Sequence, residues 1–321
     1  MIGRLRLFLV LAAIVTACGG SSESAPPLPS PAPTDTTDPG TGNAPPPATP
    51  PATPPGTPEW TPPTLPTNSP GCGSPQPDAS GTTITNPSGR QMHVWGPSGY
   101  DKAKTYPVIF MFHGIESNGP DFQSWFNQEN YVNNEAFVVY LDAKGGYWDV
   151  DGDTDLTYFD ESVKKLGETY CIDPSHVYGF GFSWGAFFAN HLGCKRAGYA
   201  RAIMAGEGGY GGPVTACGRL PVLIVNRTAD VPSAGDPNAE PVSHGKNAES
   251  DWIKLDACSD ATSMDTQMNC TTHTTCKNPG GTVTFCEDTS TLSDIPGYDP
   301  SWDHTVTEPY RAYAWSWMKT Q

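Results

Sequence analysis

The chain of 321 residues carries a formal charge of −16, with 18 Lys plus Arg against 34 Asp plus Glu. That balance excludes a phosphate-tracking nucleic-acid binder, which needs the opposite sign. Of the 34 prolines, 18 fall between Pro26 and Pro70, in a stretch of Pro, Ala, Thr and Gly with almost no large apolar side chain; such a segment cannot build a core.

In chain order, Arg4 and Arg6 precede the apolar run Leu7 to Val15 and then Thr16-Ala17-Cys18. A basic start, a short apolar stretch and small residues form a secretory leader, too short to count as a spanning helix. Val15-Thr16-Ala17-Cys18 resembles the bacterial lipobox, in which the cysteine receives lipid and becomes the new N-terminus. The expected organisation is therefore a leader over 1–17, a Pro/Thr/Ala-rich linker over 18–70 and one folded domain over 71–321. Lipid on Cys18 would attach the chain to a membrane. An ordinary leader with an incidental cysteine is the alternative.

Eight cysteines remain: Cys72, Cys171, Cys194, Cys217, Cys258, Cys270, Cys276 and Cys286. An even number in an exported chain reads as disulfides, and no zinc-finger spacing is present. Cys270, Cys276 and Cys286 are expected in one stapled segment.

The apolar runs Val108–Phe112, Phe137–Leu141, Val177–Phe182, Ala202–Met204 and Leu220–Val225 lack in/out alternation, as strands buried on both faces do. Helical patterns lie among them at 155–170, 184–192, 248–255 and 309–318, and a last strand at 282–285. The alternation predicts an α/β fold, a mostly parallel sheet covered by helices on both faces, with binding groups at the carboxyl ends of the strands.

Gly181-Phe182-Ser183-Trp184-Gly185 joins a predicted strand to a predicted helix. The two glycines allow a tight turn that lifts the serine hydroxyl clear of the sheet, with a helix N-terminus facing developing negative charge. Ser183 is thus the expected nucleophile, and it needs a base and a carboxylate. Chain order puts Asp230 after the strand ending at Val225, with Asp236 as its nearest rival. His304, between the last strand and the last helix, is the expected base; His244, placed in a polar loop, is the alternative. His113-Gly114 fits the loop whose backbone N–H at Ile115 would join that of Trp184 to hold an oxyanion.

Trp125, Trp148, Trp184 and Trp302 fall in or beside predicted strand-end loops. Of these Trp125, Trp148 and Trp302 are the candidates to touch substrate, with ordinary core as the alternative. Asp149-Val-Asp151-Gly-Asp153-Thr-Asp155 alternates in the manner of a calcium loop. The twelfth position counted from Asp149 is Asp160 rather than Glu. A polar loop leading into a helix accounts for the segment, and no metal is assigned.

His113-Gly114, the lead Ile172-Asp173-Pro174-Ser175-His176-Val177-Tyr178 into the serine turn, Thr228-Ala229-Asp230, Trp252 with Cys258, and Cys276 with Cys286 together resemble one family. They look like the secreted feruloyl esterases and polyhydroxybutyrate depolymerase-like enzymes of carbohydrate esterase family 1. The resemblance implies an α/β-hydrolase fold and hydrolysis of carboxylic esters without a cofactor, with Ser183, Asp230 and His304 as triad. The ester is expected on plant polysaccharide, with a polyester chain as the alternative substrate and a monomer as the working unit. A silent hydrolase fold that binds glycan is the non-enzymatic alternative.

Three positions depart from the family pattern. Asn226-Arg227 stands where His-Gly is usual, Ala186 follows Gly185 in place of a second glycine, and an insertion over 287–303 separates Cys286 from His304.

Overall fold

A computed structural model describes residues 69–74, 79–210, 217–230, 242–277, 281–293, 299 and 303–321. The expected leader, Cys18, nearly all of the expected linker, Asp236 and Trp302 lie outside the described residues.

Ten strands form one sheet: β1 (Thr82–Thr85), β2 (Gln91–Trp95), β3 (Tyr106–Phe112), β4 (Phe137–Leu141), β5 (Ile172–Phe182), β6 (Ala202–Gly206), β7 (Val222–Arg227), β8 (Thr262–Asp265), β9 (Cys270–His273) and β10 (Val283–Asp288). Their spatial order is β1-β2-β4-β3-β5-β6-β7-β10-β9-β8. The six strands from β4 to β10 in that order are parallel, and antiparallel pairs close both edges.

Successive residues of β3 feed different layers, because side chains alternate across a strand. Val108, Phe110 and Phe112 pack with α2 (Thr154–Thr169), α3 (Trp184–Arg196) and α4 (Ser243–Leu255). Ile109 and Met111 pack with α1 (Gly119–Phe126) and α5 (Glu308–Met318). Helices therefore cover both faces, which is why the central strands read as unbroken apolar runs.

Four disulfides join Cys72 to Cys171, Cys194 to Cys217, Cys258 to Cys276 and Cys270 to Cys286. The last two staple the expected C-terminal segment, and Cys270–Cys286 bridges directly opposed residues of β9 and β10. Four disulfides fit export to an oxidising compartment. No helix among the described residues is long and apolar enough to cross a membrane.

One expectation needs correction here. Helix α4 begins at Ser243, so His244 sits in its first turn rather than in a loop. The run Asp149–Asp155 is the expected polar turn leading into α2: Asp149 accepts the backbone N–H groups of Gly152 and Thr154, while Asp155 accepts that of Asp149 and pairs with Arg90.

Asp256 ends α4 in the interior, and neither of its oxygens accepts a hydrogen bond among the described residues. Burial pushes its carboxyl up from 3.8 to about 7. The folded chain then keeps a proton that the unfolded chain has lost, so stability falls as pH rises through that window and levels off above it. Asp256→Asn, neutral throughout, should melt alongside the parent near about pH 4 and several degrees above it near about pH 8. Thermal unfolding across pH checks this.

Candidate active site

Ser183 sits at the end of β5 and immediately before α3, with a φ of 55° that is costly for a residue other than glycine. The turn is enforced from both sides. A Cβ on Gly181 would lie 2.0 Å from the carbonyl oxygen of Gly185, and one on Gly185 would lie 2.1 Å from that of Phe112. No side chain fits at either place, so the glycines let β3, β5 and α3 approach at the contact that lifts Ser183. Ala186, a departure from the family pattern, is fully buried and leaves this geometry in place. The Ser183 amide donates to Gly206 O at 2.9 Å, which ties the turn to β6.

His304 Nε2 lies 2.8 Å from Ser183 Oγ, and its Nδ1 lies 2.8 Å from Asp230 Oδ2. With Nδ1–H donating to the carboxylate, Nε2 is left to accept the serine proton. Phe182 packs against the imidazole with ring centroids 5.0 Å apart. Of the two candidate bases, His304 is the one within hydrogen-bonding reach of Ser183. His244 lines the same cleft and packs against Phe187 at 5.8 Å.

One carboxyl in this cluster was not singled out from the sequence. Glu207 follows β6 with a φ of 51° and is 5% exposed. Its carboxyl accepts the Arg227 backbone N–H, at 2.9 and 3.1 Å, and shares a hydrogen bond with Asp230. Burial, then the neighbouring charge of Asp230, pushes its pKa well up. Both causes favour the neutral form of Glu207, whose carboxyl then has a proton to share with Asp230. Glu207, Asp230 and His304 also present the one cluster of candidate metal-ligand atoms among the described residues. The hydrogen bonds just described account for these three side chains without an ion.

The loop after β3 passes close over Ser183: a Cβ on Gly114 would be 3.3 Å from Ser183 Cβ. His113 holds that loop. Its Nε2 accepts the Ala143 N–H at 3.0 Å, which leaves Nδ1–H to donate to Gly114 O at 2.6 Å. Burial lowers its pKa, keeping the ring neutral and the tautomer fixed. Ile115 and Trp184 border the cleft beside Ser183. Trp184 opens α3, where backbone N–H groups have no partner within the helix.

The cleft holds about 240 Å³ and is bounded by Ile115, Trp184, Phe187, Val242 and His244 around Ser183 and His304. Two hollows of ≈ 470 and ≈ 540 Å³ lie elsewhere on the surface, away from this chemistry. Trp125 is 46% exposed and packs on Phe182 at 5.3 Å, one ring removed from His304. Trp148 does not face the cleft as expected. It is 3% exposed, stacks on Phe188 at 4.9 Å and donates from Nε1 to His113 O, so it supports the loop from behind.

The strand order and the serine turn between β5 and α3 define an α/β-hydrolase fold. An acetyl xylan esterase from Aspergillus awamori shares it, with a TM-score of 0.50 over 74% of this chain and 98% of that one, at 16% identity. By sequence the chain is similar to feruloyl esterase C of Emericella nidulans, 29% identical over 148 residues, which are 44% of this chain and 54% of that protein. It is also similar to feruloyl esterase B of Piromyces equi, 26% identical over 222 residues, 61% of this chain and 41% of that one. The chain spans about half the length of the curated relatives it matches first. No family model matches it.

Gly185→Ala should cost about 2–3 kcal/mol, because the new methyl meets backbone that cannot step aside. Thermal unfolding should show a midpoint lowered by about 5–10 °C; an unchanged midpoint would mean that the turn is looser than described.

Proposed function

We propose that this protein is an exported serine esterase that cleaves carboxylic esters, of feruloyl or acetyl type, on plant polysaccharide. The observation that carries the reading is the continuous hydrogen-bonded chain from Ser183 Oγ through His304 to Asp230. His304 takes the serine proton as Oγ attacks the ester carbonyl, while Asp230 orients the ring and balances its charge. Backbone N–H groups of Ile115 and Trp184 receive the oxyanion. His304 then protonates the departing alcohol, and a water activated by the same imidazole frees the acid and restores Ser183. No cofactor takes part in these steps.

Similarity to the two feruloyl esterases supports the ester class. The aromatic boundary formed by Trp184 and Phe187 supports a flat acyl group in the cleft. The exposure of Trp125, one ring removed from His304 through Phe182, supports a contact with an attached sugar, and we assign it that role. The leader and lipobox-like Cys18 support a chain held at a membrane by lipid, with residues 18–70 as tether and the catalytic domain following, working as a monomer.

The test is hydrolysis of p-nitrophenyl acetate, methyl ferulate and feruloylated xylan by the full chain. Ser183→Ala and His304→Ala should each lose about three orders of magnitude or more in kcat. Trp125→Ala should raise KM on feruloylated xylan and leave p-nitrophenyl acetate untouched. A folded parent that turns over none of these esters would overturn the reading in favour of a glycan-binding protein. A preference for hydroxybutyrate oligomers would replace the polysaccharide substrate by a polyester.

A further inference from the structure

The two larger departures from the family pattern meet in space. Arg227, the last residue of β7, has no exposed side-chain surface. Its Nη2 donates to Asp303 Oδ1 at 2.8 Å and to Ser290 O at 3.1 Å, and its Nη1 stands 4.0 Å from Asp288 Oδ2. Ser290 and Asp303 both belong to the insertion, and Asp288 lies at its start. A buried guanidinium is expensive unless it is paired, and the insertion supplies both hydrogen-bond partners of Nη2, while Nε and Nη1 have none among the described residues.

The second half of the arrangement lies just past the histidine. Asp288 is fully buried and accepts Thr307 Oγ1 at 2.7 Å and the Ser290 N–H at 2.8 Å. Thr305 N–H donates back to Asp303 O at 3.0 Å. The residues on both sides of His304 are thereby suspended from one charged centre made of Arg227 and Asp288. From its backbone N–H, Arg227 also reaches Glu207 and through it Asp230. One residue thus fixes the acid end and the base end of the same relay.

We propose that Arg227 and Asp303 form a positioning clamp that sets His304 against Ser183, replacing the short connection from β10 that the family pattern would lead one to expect. The clamp rests on the triad reading given above. It touches no reacting atom. It acts on the register of the imidazole, where a displacement of about 1 Å can cost on the order of a hundredfold in rate.

The experiment measures kcat and KM of the full chain on p-nitrophenyl acetate for Asp303→Ala, Asp303→Asn, Arg227→Met and the Arg227→Met/Asp303→Ala pair, beside Ser183→Ala. Asp303 is the safer site, because it is 14% exposed and its removal leaves Arg227 with Asp288 and Ser290. Asp303→Ala should lower kcat by about ten- to a hundredfold with KM little changed. Asp303→Asn keeps an oxygen facing Nη2 and should restore most of that loss. The double variant should be no worse than Arg227→Met alone, as expected for two residues acting as a unit. If Arg227→Met does not fold, the Asp303 pair decides. A folded Asp303→Ala with parental kcat, or losses that multiply in the double variant, would overturn the clamp while leaving the triad standing. Turnover by Ser183→Ala would instead overturn the triad reading itself.

Discussion

Everything at the site depends on how closely three backbones approach at the end of the sheet. Gly185 lies so near the Phe112 carbonyl that a single added methyl group has no room. That contact holds α3 against β3 and forces Ser183 into its positive φ. The strain is local and is held in place by a core whose central strands are buried on both faces. The same approach brings the loop after β3 over the serine, where a neutral His113 with a fixed tautomer keeps it. The positions of Ser183 and of the loop facing it are thus set by packing rather than by flexible side chains.

The carboxylate side of the cleft follows another logic, that of charge placed out of water. Asp230, Glu207, Asp288, Asp303 and Arg227 lie within a few contacts of one another at the ends of β6, β7 and β10. Four acids around one guanidinium would repel one another if all were ionised. The raised pKa of Glu207 favours its neutral form, which relieves part of that repulsion. Arg227 pairs with the acids that flank His304. The strand ends therefore carry a network in which Arg227 Nη2 and the carboxyls of Asp288 and Asp230 are hydrogen-bonded, while Arg227 Nε and Nη1 have no hydrogen-bond partner among the described residues.

The sequence was most informative where burial is symmetric. Continuous apolar runs marked β3, β4, β6 and β7, and the glycine spacing around Ser183 marked the turn, because both signals come from packing that leaves no alternatives. The strands β1 and β8 escaped notice: β1 alternates between half-buried and exposed residues, and β8 is exposed throughout. The eight-residue α1 opens with Gly-Pro and reads as a loop. The beginning of β5 was hidden by Asp173-Pro174-Ser175, which has the composition of a turn. Arg227 and Glu207 could not be placed from sequence, since charged residues are usually exposed and nothing local marks these two as buried. Trp148 illustrates the converse. A tryptophan near a strand end fits a substrate wall and a core support equally well, and the difference lies in the partner, Phe188, far along the chain.

The central claim, that His304 activates Ser183 for covalent attack, is tested most directly by intact-mass and peptide mass spectrometry after exposure to an activated aryl ester at a pH that slows deacylation. The account predicts a single acyl group on Ser183 in the parent chain and none on the same timescale in His304→Ala. Acylation elsewhere in the parent, or equally fast labelling of Ser183 without His304, would contradict it.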